Sequence, residues 1–265
     1  MRRFIGLLIV ALLSLSGPVV AGPYEDGFAA YNRQDYVAAL RLFRPMAELG
    51  HAGAQFNLGG MYHNGQGVPQ DYAEAVKWYR KAAEQGHVDA QTHLGGMYDT
   101  GRGVPEDYAE AVKWYRKAAD QGYAYAQFDL GLAFVKGLGV PKDYAEANRW
   151  FRKAADQGYD VAQTRLGFMY DNGLGVPKDY TEAVKWYRKA ADQGYATAQY
   201  VLGLSYFSGQ GVPQDYLQAH KWFNLAAVKD DKDAVKNRDA VAAKMTPAQI
   251  AEAQKLAREW KPATK

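Results

Sequence analysis

The sequence predicts an all-α repeat protein, a solenoid of stacked helix pairs, and three observations carry that prediction. Proline recurs at Pro69, Pro105, Pro141, Pro177 and Pro213 at an unbroken interval of 36 residues. Tryptophan recurs at Trp78, Trp114, Trp150, Trp186 and Trp222 at the same interval. Each interval also holds a stretch like Gly101 to Gly122, GRGVPEDYAEAVKWYRKAADQG, which reads as a glycine-proline turn, an acidic helix start, an amphipathic helix and a glycine stop. A fixed period of about 20 to 50 residues is the signature of stacked supersecondary units that bury one continuous core.

The first 21 residues stand apart. A basic start (Met1, Arg2, Arg3), an apolar run from Phe4 to Leu15 and a Ser-Gly-Pro break before Val19-Val20-Ala21 follow the order of a secretory signal peptide. The run is short for a membrane span, so cleavage after Ala21 and a periplasmic or secreted mature protein without stable membrane insertion are expected. Net charge is +3, and +1 once Arg2 and Arg3 are removed. With Lys and Arg interleaved with Asp and Glu, that balance offers no footprint for nucleic acid. There is no cysteine, which excludes disulfides, thiolate chemistry and a lipid-modified cysteine at the new terminus.

Residues 22–51 read as a capping helix pair with a tight connection, because Tyr31 to Asp35 spans 4 positions where Tyr62 to Asp71 spans 9 and the GxGVP turn is missing. Five full units follow at 52–87, 88–123, 124–159, 160–195 and 196–229. In the second of these, Ala90, Leu94, Gly95 and Tyr98 alternate small and large residues on one helical face, and Gly95 implies a close backbone approach between helices. Gly101 to Pro105 forms the turn. Asp107 with Glu110 reads as an N-cap and capping box, and Tyr108, Ala111, Val112, Tyr115, Ala118 and Ala119 form one apolar stripe ended by Gly122. Beyond the array, 230–261 reads as two capping helices, the second opened by Thr246-Pro247-Ala248-Gln249, and 262–265 as a frayed tail.

The order A-x-x-L-G-x-x-Y, G-x-G-V-P-x-D-Y, A-x-x-W-Y-x-x-A-A-x-x-G, carried from Ala54 to Ala227, resembles the Sel-1-like repeat, a relative of the tetratricopeptide repeat. The resemblance implies a right-handed superhelix of antiparallel helix pairs whose first helices line a concave surface that holds other proteins. Bacterial exported members look like adaptors, regulators of envelope signalling or factors in host contact. Some cysteine-rich secreted members bind or hydrolyse β-lactams, so the resemblance also implies β-lactam binding or a β-lactamase-type activity as an alternative, although those members carry a disulfide in each repeat, a pattern from which this chain departs.

Catalytic machinery is not legible. The mature chain has only Ser205 and Ser208, neither in S-x-x-K nor G-x-S-x-G. His51 and His87 hold a turn position occupied elsewhere by Tyr123, Tyr159 and Tyr195, and no H-E-x-x-H supplies a metal triad. No catalytic, metal or cofactor-binding residue is assigned, and no enzymatic activity is expected. Function is sought where the units differ, on the positions 1 before and 3, 6 and 10 after each initial alanine. The first two units offer small and polar groups there, Gly53, Asn57, Gly60 and Asn64, then Asp89, His93, Gly96 and Thr100. Later ones offer Tyr125, Asp129, Leu132 and Lys136; Arg165 and Phe168; Val201 and Leu204. Apolar anchors beside a few charges suit a protein or peptide partner, whereas Leu132, Phe168 and Leu204 could equally pack between units. Self-association through exposed ends or tyrosine-rich edges is a further reading.

Overall fold

The computed structural model describes residues 22–229 and 232–263, so the expected leader at 1–21 and the extreme C-terminus lie outside the described residues. The helices are α1 (Pro23–Asn32), α2 (Tyr36–Glu48), α3 (Ala52–Asn64), α4 (Tyr72–Glu84), α5 (Val88–Thr100), α6 (Tyr108–Asp120), α7 (Ala124–Lys136), α8 (Tyr144–Asp156), α9 (Asp160–Asn172), α10 (Tyr180–Asp192), α11 (Ala196–Ser208), α12 (Tyr216–Ala226), α13 (Lys232–Ala242) and α14 (Pro247–Glu259). A single 3-10 turn, Ala227–Lys229, joins α12 to α13. There is no strand among the described residues, each helix from α1 to α12 packs on its sequence neighbours, and α13 and α14 both pack on α12, which makes the molecule an all-α repeat solenoid.

Within a unit the two helices close on a glycine. A Cβ on Gly95 would stand 2.7 Å from the Tyr115 ring. The expected close approach is therefore between a helix backbone and an aromatic side chain of the paired helix. The loop glycine serves a different contact. Gly103 has φ +73°, and a Cβ there would overlap the Tyr72 carbonyl, so the GxGVP loop of one unit rests on the first turn of the preceding unit's second helix.

The capping box is half realised. Asp107 Oδ1 accepts from the Glu110 N–H at 2.9 Å, but the Glu110 carboxylate pairs with Lys113 at 2.8 Å. The reason is that the Asp107 N–H is already donated to the Tyr98 carbonyl at 3.0 Å, closing the loop onto α5 and leaving no donor for the glutamate. The full reciprocal box forms at Thr246 and Gln249, which opens α14.

Between units runs a ladder of buried amides. Gln91 Nε2 donates to the Ala83 carbonyl at 3.0 Å and Gln121 Nε2 donates to Gln91 Oε1 at 2.8 Å. One unit on, Gln127 donates to Ala119 at 3.1 Å and receives Gln157 at 2.8 Å. The buried glutamine thus adds a second donor to a carbonyl at the end of the preceding unit, which also accepts from the Gly86 or Gly122 N–H, and its own oxygen accepts from the glutamine that closes its own unit. A second seam joins Arg80 to the Tyr98 hydroxyl and Arg152 to Tyr170. Each of Trp114, Trp150 and Trp186 lies under a lysine three residues on, at 3.8 to 3.9 Å from ammonium to ring centroid.

The two ends differ. At the N-terminal end Phe28, Val37 and Leu49 stay exposed. At the other, α14 lies on α12, with Trp260 edge-on to Trp222 at 6.3 Å between centroids. The expected frayed tail is corrected at its start: the Ala263 N–H donates to the Asp192 carbonyl at 2.7 Å, a group that the end of α10 leaves without a helical partner.

Candidate functional site

The stripe that distinguishes the units runs along α7, α9 and α11, and the structure splits its members. Tyr125 is 53% and Phe168 43% exposed, large aromatic groups that the fold leaves in solvent. Leu204 packs instead on the cluster of Ala219, Phe223 and Val241, because α13 folds over the end of the array there. Leu204 is partly buried there, which favours the packing alternative for this residue. Leu132 packs on the central cluster and also lines a cavity, so it belongs to both.

Arg165, Phe168 and Val201 come together. With Val161, Tyr187 and Tyr195 they line an open cavity of about 200 Å³ between α9 and α11, and the Arg165 guanidinium lies over the Phe168 ring at 5.7 Å. Val161, Arg165 and Phe168 fall at offsets 0, 4 and 7, one face of α9, while Val201 arrives from the next unit. Tyr125 stands apart from this cavity, sandwiched between Tyr123 at 5.4 Å and Tyr159 at 4.8 Å.

Asp129, Leu132 and Lys136 also meet, around a narrow cavity of about 40 Å³ that includes Asp99, Tyr108 and Tyr115. The Asp129 carboxyl is pushed up to about 6, chiefly by burial and then by the negative charge of Asp99, with Lys136 pulling the other way. Its oxygens accept no hydrogen bond among the described residues. Tyr159 is raised to about 12 by burial and then by Asp129.

A third cavity, about 280 Å³, adjoins Asp129 on its other side and is lined by His63, Thr92, His93, Thr100 and Arg102 among others. Sequence comparison found His93 and Thr100 on the stripe but passed over His63 and Arg102, which lie at the end of α3 and in a loop. Their signal was weak but present: Arg102 occupies a position filled by Gln66, Leu138, Leu174 and Gln210 in the other units. The remaining histidines at unit boundaries are structural, since His51 Nδ1 accepts from the Ala54 N–H at 3.1 Å and His87 Nδ1 from the Ala90 N–H at 3.4 Å as helix N-caps.

A family model described as the Sel1 repeat matches residues 21–51, 52–87, 88–123, 124–159, 160–195 and 196–231. Its first match makes the shortened opening pair a repeat in its own right. Among curated proteins none matches. Two solved structures are similar: a protective antigen of uropathogenic Escherichia coli strains displaying an SLR fold, 39% identical with a TM-score of 0.81, over 89% of this chain and 53% of that one; and a Sel1 repeat protein from Oxalobacter formigenes, 33% identical with a TM-score of 0.77, over 93% of this chain and 100% of that one. The chain thus spans about half the length of the first.

Proposed function

The chain belongs to the Sel1 repeat family, and on that premise we propose that it is an exported, non-catalytic scaffold that holds a peptide or helix of a partner protein along the stripe of its first helices. The observation that carries this reading is the open cavity of about 200 Å³ between α9 and α11, where exposed Phe168 lies beside Arg165 and Val201. A desolvated aromatic anchor next to a charge that sets register is the arrangement from which peptide grooves draw affinity. Export rests on the order of charge and apolar residues in 1–21, and a mature chain beginning at Gly22 by mass spectrometry is the expected outcome; an intact Met1 would count against it.

The groove is tested with Phe168→Asp. Because Phe168 is already exposed, the melting temperature should stay close to that of the parent, within about 0.5 kcal/mol of stability. Envelope proteins captured by the parent chain should be lost by the variant, a cost of about 2 kcal/mol or more at a central anchor. Capture that survives the substitution would remove the cavity from the reading. A large loss of stability would make Phe168 a packing residue.

A further inference from the structure

Two imidazoles and a guanidinium converge on the cavity of about 280 Å³. His63 comes from the last turn of α3, His93 from the middle of α5 and Arg102 from the loop after α5. The His63 ring is held edge-on to Tyr72 at 5.2 Å, and its Nδ1 is buried with no hydrogen-bond partner. His93 engages the Asp89 carbonyl through Nδ1 at 2.8 Å, which leaves Nε2 unbound. The Arg102 guanidinium lies over the Tyr72 ring at 5.8 Å to its centroid and forms neither a hydrogen bond nor an ion pair among the described residues. Burial lowers the pKa of His63, and the positive charges of His93 and Arg102 lower it further, so the groups lining the cavity disfavour one another's charge.

Packing does not demand this set. At the His63 position the other full units carry Asp99, Val135, Asp171 and Phe207; at the His93 position, Asn57, Asp129, Arg165 and Val201. The same fold is built without any of the three groups, which meet in one place only. No group of three or more His, Asp and Glu side chains suited to a metal ion is present among the described residues, and the local charge disfavours a cation.

We propose that this cavity is a carboxylate-binding subsite, in which Arg102 and the imidazoles of His63 and His93 grip a carboxylate of a peptide ligand. Guanidinium and carboxylate match as a planar, two-pronged pair, and the free His63 and His93 nitrogens supply further donors when protonated. Asp129, which also lines the cavity, selects a singly charged group over a dianion such as phosphate, which it repels more strongly. The subsite deepens the groove reading in that it takes the ligand to be a peptide, but carboxylate binding itself does not depend on the Phe168 cavity.

The test follows the histidine ring nitrogens of the full mature chain by NMR during titration with N-acetyl-tyrosine, N-acetyl-tyrosinamide, N-acetyl-glutamate amide and inorganic phosphate. N-acetyl-tyrosine or the glutamate side chain should shift His63 and His93, the tighter of the two identifying a terminal or a side-chain carboxylate. The tyrosinamide should bind at least about tenfold more weakly, the worth of a charge-assisted contact. Arg102→Gln, which installs the residue found at Gln66 and Gln210, should weaken carboxylate binding about tenfold with unchanged helix content. His93→Asn, copying Asn57, should do the same. Phe168→Asp should leave it intact, so that failure of the apolar groove and failure of the subsite read separately. Equal binding of acid and amide, tighter binding of phosphate, or indifference to Arg102→Gln would overturn the proposal.

Discussion

Asp129 carries its charge where the fold does not favour one. Its folded-state pKa of about 6 lies above the ordinary carboxylate value, so between the two the folded chain binds the proton more tightly than the unfolded chain does. Stability contributed by the protonated form is therefore present at low pH and lost as pH rises through about 6. Asp129→Asn should stabilise the chain by about 2 kcal/mol at pH 7.5 and by nearly nothing at about pH 4, as read from urea unfolding at the two pH values. A gain that is the same at both would mean that the carboxyl is not destabilised by its surroundings. The neighbouring imidazole of His63 behaves in the opposite sense, its pKa being lowered, so its contribution grows as pH rises towards the ordinary histidine value. Comparing parent and variant at each pH separates the two.

At the scale of elements, the helices and their ends were the legible part of the sequence. From α2 to α10 each second helix is bounded by an Asp whose side chain bonds a backbone N–H and by a glycine in the left-handed region, as the residue types alone require, whereas α12 runs through Ala227 into the 3-10 turn. The first helices begin two residues before the alanine taken as their start, because the cap is the residue three before it, a histidine in two units and a tyrosine in three. The amide ladder was not legible. Gln91 recurs faithfully but sits among apolar neighbours, and nothing in its spacing reveals that the partner glutamine lies 30 residues on. Gln127→Leu keeps the volume and removes the bonds to the Ala119 carbonyl, which keeps the Gly122 N–H as a donor, and to the Gln157 amide. It should cost about 1 kcal/mol, with hydrogen exchange accelerated first at the α6–α7 junction. Uniform acceleration along the chain would show that the ladder acts on the molecule as a whole and not on one seam.

At the scale of the molecule, and among the described residues, the solenoid leaves large apolar groups exposed at one end and seals the other. The seal is α14, whose Ala253 and Ala257 are buried and whose Trp260 covers Trp222. Trp260→Ala should cost about 2 kcal/mol and expose Trp222, seen as a red shift of emission before global unfolding. No such shift would place the seal elsewhere on α14. The candidate site belongs to this scale too, which is why so much of it escaped sequence reading. His63, His93 and Arg102 come from different positions of the repeat in adjoining units, so no periodicity lines them up. Phe168 and Val201 sit six and three residues after their alanines, and only the stacking of α9 on α11 brings them to one cavity. Leu204 has the same offset as Phe168 yet is partly covered, because the array ends beside it.

The seams between units are interchangeable. The joint made by Gln91 with the Ala83 carbonyl and by a loop glycine with a tyrosine carbonyl is remade by Gln127 with Ala119 and by Gln163 with Ala155. Any one unit can be cut out or copied in frame and the flanking surfaces still meet their accustomed counterparts. Reach therefore becomes a trait that recombination adjusts in whole steps, while the few departures from the consensus are free to drift into new recognition chemistry. A gene of this kind evolves its length and its vocabulary independently.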